Sequence, residues 1–109
     1  MRIAIYGRDF NDTVLPYVQE IFNHLSDHKI QPVLYSKFKT SLHGKIKLPA
    51  GTIIFHNHKE LKEHADVLLS LGGDGTLLDT LSLIRNSGIP VIGINFGRLG
   101  FLASINKMK

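Results

Sequence analysis

The run Asp66-Val67-Leu68-Leu69-Ser70-Leu71, followed without a break by Gly72-Gly73-Asp74-Gly75-Thr76, constrains the fold more than any other stretch of the chain. An apolar run of this length without polar alternation reads as a strand covered on both faces, and such strands belong to parallel sheets flanked by helices. Gly72 and Gly73 remove side chains where the backbone must turn sharply, and Gly75 keeps the start of the next element uncrowded. Beyond them Leu77, Leu78, Leu81 and Ile84 recur at helical spacing, placing one apolar stripe on a helix that stops at Ser87-Gly88 with Pro90 behind it. A buried strand that turns through glycines into a helix is half of a parallel crossover unit.

The remainder of the chain repeats this alternation. Arg2 to Tyr6 reads as a first strand closed by Gly7. Val14, Leu15, Val18, Ile21, Phe22 and Leu25 form the apolar stripe of an amphipathic helix, with Pro16 tolerated in its first turn. Pro32 to Tyr35 is a second strand, and β-branched and aromatic Thr52 to Phe55 a third. Residues 36–51 show no sustained period and read as a mostly exposed connection, with a short helix or an edge hairpin as alternatives inside it. Lys59 to His64 leads into the leucine-rich strand. Val91 to Ile94 reads as another buried strand, Asn95 to Arg98 as a turn, and Leu99 to Ser104 as extended. Strands alternating with helices imply a mainly parallel sheet.

Composition narrows the class. The chain has 109 residues, which suits one domain, and is 43% hydrophobic and 20% charged, as ordinary globular proteins are. It has no cysteine, which excludes disulfides and thiolate metal sites. Its formal charge of +4 suits an acidic small molecule, or is simply a basic surface. The lysines are scattered and no aromatic-basic motif recurs, so nucleic acid is not expected as a partner. No stretch reads as a signal peptide or a membrane span, so a cytoplasmic location is expected. His24 and His28 share a helix face and His56 and His58 are close in sequence, but no third ligand is spaced to complete a metal site.

In open α/β sheets ligands gather at the carboxyl ends of the strands. Three loops lie there: Gly7-Arg8-Asp9-Phe10, Gly72-Gly73-Asp74-Gly75, and Asn95-Phe96-Gly97-Arg98-Leu99-Gly100. A phosphate-binding P-loop is excluded because no Gly-Lys-Ser or Gly-Lys-Thr occurs. The dinucleotide fingerprint fits from Gly73 except at its last position, Leu78. Asp74 carries two readings. As a helix N-cap it would contribute about 1 kcal/mol. As a group projecting into the cleft it would be ionised at neutral pH, able to orient an alcohol and accept its proton late in phosphoryl transfer.

Gly72-Gly73-Asp74-Gly75-Thr76 together with Gly93-Ile94-Asn95-Phe96-Gly97-Arg98-Leu99-Gly100-Phe101-Leu102 resembles the NAD kinase family. The first motif is shared with diacylglycerol/sphingosine kinases and phosphofructokinases; the second is far more specific. The resemblance implies an α/β, Rossmann-like, mainly parallel sheet flanked by helices. It also implies transfer of a phosphoryl group from ATP or polyphosphate, with Mg²⁺ or another divalent cation, to the 2′-hydroxyl of the adenosine ribose of NAD, giving NADP. Asp74 would be the general base, with Gly75 beside the same ribose, and Gly72, Gly73 and Thr76 would shape the phosphate-facing turn. Phe101 would pack against adenine or serve as a core phenylalanine. Asn95 and Arg98 belong to the second motif; Arg98, like Arg8 at the first strand end, would approach a phosphate or stand exposed in its turn.

Members of that family are well over twice this length and carry a second, β-rich domain. Residues 1–109 are therefore expected to be an amino-terminal domain, inactive alone, of a protein that binds small-molecule nucleotides and forms a homo-oligomer. Two rival readings remain: a diacylglycerol/sphingosine-type lipid kinase domain, against which Asn95-Phe96-Gly97-Arg98 counts, and a non-catalytic nucleotide-binding α/β domain. Asp79 reads as a surface residue.

Overall fold

The computed structural model describes residues 1–7 and 12–95, apart from the side chains of Asp12 and Asp74. Its centre is β1 (Arg2–Gly7), which pairs in parallel with β2 (Gln31–Tyr35) on one side and β4 (Val67–Gly72) on the other. Outside these lie β3 (Ile53–Phe55), parallel to β2, and β5 (Val91–Asn95), parallel to β4. The order is β3-β2-β1-β4-β5. The chain thus winds outward from β1 in one direction and returns to wind outward in the other, which makes the gap between β1 and β4 a topological switch point. Because every pairing is parallel, the carboxyl ends of all five strands share one edge of the sheet.

Helices cover both faces. On one face, α1 (Leu15–Asp27) and α2 (Ser36–Leu42) pack Val18, Ile21, Phe22, Leu25, Phe38 and Leu42 against Ile5, Leu34 and Leu71. On the other, α3 (His58–His64) and α4 (Asp74–Ile84) lie over Ala4, Val33, Phe55 and Leu68. Alternate residues of each central strand therefore feed alternate cores, which is why β4 carries no polar alternation. Pro16 occupies the first turn of α1, as its missing N–H requires. At the amino ends of β1 and β4, Arg2 N–H donates to Asp66 Oδ2 at 2.9 Å and Asp66 N–H returns a bond to the Arg2 carbonyl at 2.9 Å.

The structure departs from the sequence expectations at several places. The stretch after β2 is mostly exposed, and of the two alternatives inside it the short helix is the one that forms: it opens with α2, whose Phe38 and Leu42 are the buried residues. The Phe38 ring sits so close to the end of β1 that a Cβ on Gly7 would meet it at 2.7–2.9 Å. The polar stretch before β4 folds as α3. Asn57 caps it, with Oδ1 accepting from Glu60 N–H at 3.0 Å, while Glu60 Oε1 accepts from His56 N–H at 2.8 Å. The helix α4 ends at Ile84 rather than at Ser87-Gly88, with Arg85 and Gly88 both at positive φ beyond it. The extended reading of Leu99 to Ser104 lies outside the described residues.

Two corrections concern the site side of the sheet. Among the described residues β5 lies at the edge of the sheet rather than buried within it, and Ile92 is 54% exposed. The apolar stripe of α4 is largely turned away from the sheet: Leu78 and Leu81 are 66% and 58% exposed and Leu77, 40% exposed, reaches only over β5, while Thr76 and Thr80 are buried. Only Ile84, with Leu83, joins the core beneath. Among the described residues no helix is long and apolar enough to cross a membrane.

Phe38 is 1% exposed and roofs the end of β1. Phe38→Ala is expected to cost about 3–5 kcal/mol of unfolding free energy, read as a lower urea midpoint at unchanged slope. At α3, the His56 side chain and then its backbone N–H hold the Glu60 carboxyl below its ordinary value. That contribution is present above the unfolded carboxylate value of about 4.3 and lost as pH falls through the lower folded one. Glu60→Gln is therefore expected to flatten the acid limb of a stability-against-pH curve.

Candidate functional site

The site begins at the end of β4, where the backbone passes directly from strand to helix. Gly72 has φ of +150°, and a Cβ there would meet Thr76 Oγ1 at 2.5 Å and Thr76 Cβ at 3.0 Å. No larger residue fits, because the obstacle is a branched side chain held at the helix start and not a flexible tip. Gly73 differs. Its φ of −113° and ψ of −167° are open to any residue, and a Cβ would meet nothing within 4 Å. Nothing among the described residues requires a glycine at that point; what the missing side chain leaves is room beside the backbone.

Gly73 is the N-cap of α4 and Asp74 the first residue within the helix, so the reading of Asp74 as the cap is corrected. Gly73 has no side chain with which to cap this helix start, and none of the described side chains is bonded there as a cap. The first N–H groups of an uncapped helix and the positive end of its dipole together favour an anion. Gly75 is exposed in the same turn, and Thr76 is buried beneath Gly72.

Beside this turn lies a cleft of about 250 Å³, lined by Ser70, Gly72, Gly73, Leu77, Gly93, Ile94 and Asn95. Register explains its shape: Ser70 pairs with Gly93 and Gly72 with Asn95 across β4 and β5. On the face toward α4, successive positions of β4 and β5 thus bring together one hydroxyl, two glycines and one amide. A Cβ on Gly93 would touch Leu77 Cδ1 at 3.4 Å and narrow the opening between β5 and α4. The cleft walls carry no ionisable side chain among these lining residues, so attraction for an anion rests on backbone dipoles.

Of the residues singled out in the sequence, the structure gathers Gly72, Gly73 and Asn95 around the cleft, and Asp74, Gly75 and Thr76 follow Gly73 in the first turn of α4. Arg8, Arg98 and Phe101 lie outside the described residues. Sequence reasoning gave Ser70 and Leu77 no place in a site and named Gly93 and Ile94 only as the start of the second motif. The signal for Ser70 was available: it is the hydroxyl in an otherwise leucine-rich run, two positions before Gly72 and hence on the same face of the strand. Among the described residues, no group of three or more histidine and carboxylate side chains is placed to hold a metal ion.

Residues 3–109 match the family model described as the ATP-NAD kinase N-terminal domain. A NAD kinase of Flavobacterium psychrophilum is 39% identical over 107 residues, covering 98% of this chain and 36% of that protein. A NAD kinase of Cytophaga hutchinsonii is 41% identical over 105 residues, covering 95% of this chain and 36% of that protein. The chain thus spans about a third of the length of these curated relatives. Among solved structures, yeast NADH kinase complexed with NADH superposes with a TM-score of 0.72 at 21% identity, over 94% of this chain and 31% of that one. That likeness establishes the fold.

The contrast between the two adjacent glycines is measurable. Gly72→Ala is expected to destabilise the domain by about 2–4 kcal/mol through strain and overpacking against Thr76. Gly73→Ala is expected to stay within about 0.5 kcal/mol of the parent, as an unobstructed position should. Thermal or urea unfolding of the two variants side by side checks both.

Proposed function

The chain belongs to the ATP-NAD kinase N-terminal domain family, and from that premise we propose that the protein carrying it transfers a phosphoryl group to the 2′-hydroxyl of the adenosine ribose of NAD, giving NADP. The observation that carries this reading is the uncapped start of α4, opening through Gly73 onto a cleft at the carboxyl edge of the sheet. A phosphate beside that turn would be met by backbone N–H groups, with no side chain on Gly73 in the way.

In the proposed reaction the ribose 2′-oxygen attacks the terminal phosphorus of ATP or polyphosphate. A new O–P bond forms, the bond to the leaving phosphate chain breaks, and Asp74 takes the hydroxyl proton. An aspartate in the first turn of a helix is held ionised by the dipole, which weakens it as a base but guarantees the acceptor form. Phosphoryl transfer tolerates this, since it depends on positioning and charge stabilisation more than on base strength. Gly72 and Thr76 fix the turn, Gly73 and Gly75 leave room for the phosphates and ribose, and Asn95 borders the same cleft. Arg8 and Arg98 would neutralise phosphate charge, and Phe101 would pack on adenine. A divalent cation would be carried on the donor's phosphates and offset their charge.

The cleft accommodates only part of such a reaction. Its 250 Å³ falls below the roughly 300–1,000 Å³ of pockets that enclose a whole small ligand. The three exposed leucines of α4 also leave apolar surface that further polypeptide would cover, at about 1.5–3 kcal/mol for each one fully buried. Both features, with the length of the relatives, support residues 1–109 as the amino-terminal domain of a larger enzyme whose β-rich second domain completes the site.

The test is an assay of the full-length protein with NAD, ATP and Mg²⁺, repeated with polyphosphate as donor and with Asp74→Asn. NADP formation is expected from the parent, and a loss of about a thousandfold in kcat from Asp74→Asn with folding retained. Residues 1–109 alone are expected to form no NADP. Near-normal turnover by Asp74→Asn would remove Asp74 from the mechanism.

A further inference from the structure

One interaction ties α4 to the strand on the far side of β4, and the reaction proposed above makes no use of it. Tyr6, next to last in β1, donates its hydroxyl proton to Asp79 Oδ2 at 3.1 Å, so Asp79 is a half-buried acceptor rather than the surface residue expected. Tyr6 is a stiff post for such a bond. Its ring lies 5.1 Å from that of Tyr35, which lies 5.3 Å from Phe55, in an aromatic row across β1, β2 and β3.

The way α4 grips the sheet makes this bond consequential. Leu78 and Leu81 face outward, Leu77 leans over β5, and the buried side chains of the helix before Leu83 are the small hydroxyl residues Thr76 and Thr80. Apolar anchoring comes from Leu83 and Ile84, at the other end of the helix. A short helix held firmly at one end is free to roll at the other unless something fixes its rotation. Asp79 and Leu77 stand about 160° apart around the helix axis. One flank is bonded to β1 through Asp79, and the opposite flank leans over Gly93 of β5 through Leu77 and forms a wall of the cleft.

We infer that Tyr6 and Asp79 are positioning residues, a pin that sets the roll of α4 and with it the overhang of Leu77 and the placement of the first turn that carries Asp74. The pin touches neither substrate nor reacting atoms; it acts through α4. As a statement about catalysis it rests on the proposed kinase reading, whereas as a statement about the helix it does not.

The full-length protein carrying Tyr6→Phe, Asp79→Ala or Asp79→Asn separates these. In Tyr6→Phe and Asp79→Ala, amide hydrogen exchange within residues 77–81 is expected to accelerate at least tenfold relative to β4, whose amides report global stability. In the same variants kcat is expected to fall about tenfold with KM for NAD within twofold. Asp79→Asn keeps an acceptor oxygen for Tyr6 and is expected to restore both readouts. Unchanged exchange in Tyr6→Phe would overturn the pin. Faster exchange at unchanged kcat would overturn its positioning role, as would an Asp79→Asn variant no better than Asp79→Ala. A parent protein that forms no NADP would defeat the kinase reading instead, leaving the exchange measurement to decide the pin.

Discussion

The contact between Gly72 and Thr76 governs this domain. A strand that must be covered on both faces ends at a residue with positive φ, and the next helix starts so close behind it that Thr76 occupies the space a side chain would need. Close approach of helix to strand selects what can lie underneath. A leucine at position 76 or 80 would hold α4 away from the sheet, whereas threonine fills the narrow gap and places its hydroxyl within reach of the helix backbone, as Thr80 does toward the Leu77 carbonyl at 2.6 Å. The leucines are displaced to the outside as a consequence. The exposed stripe and the tight turn are two results of one steric fact.

Strand order turns that local fact into a site. With β1 central and β4 beside it, the loops after both strands leave the same edge, and β5 adds a third carboxyl end next to the glycine turn. Registry then matters at the level of single residues. Ser70 faces Gly93 and Gly72 faces Asn95, so the absence of two side chains on neighbouring strands opens a cleft under the lip formed by Leu77. Shifting β5 by one residue would replace Gly93 by Ile92 or Ile94 and close it.

Much of this was legible in the sequence because the signals were long or chemically singular. The apolar run before Gly72 could only be a two-sided strand, the stripe from Val14 to Leu25 could only be one amphipathic helix, and the glycine turn announced the strand-to-helix transition. What failed had physical causes. Periodicity finds that Leu77, Leu78, Leu81 and Ile84 recur on a helix, but it cannot say that two threonines will outcompete three leucines for the sheet. That depends on the distance set by Gly72, a tertiary quantity. α3 escaped notice because its seven residues bury only Leu61, yet Asn57 and Glu60 carry the spacing of a reciprocal cap. The edge position of β5 follows from strand order, which local pattern does not encode, and Asp79 looked like surface because its partner Tyr6 is remote in sequence.

In the proposed reaction, an anion seat built partly from backbone would offer something that side chains alone do not. Lysine or arginine reaching a phosphate brings charge on a flexible stem and loses side-chain entropy when it docks. Helix-terminal N–H groups are already ordered, so their alignment costs nothing further when charge develops. The requirement moves from the side chains to the helix, which must then sit at a fixed angle and roll. A domain that used the start of α4 in the proposed way would need that helix held from both ends. Apolar contacts at Leu83 and Ile84 hold the far end, and the near end, where small hydroxyls replace leucine, is held by the glycine–threonine contact and the hydrogen bond from β1.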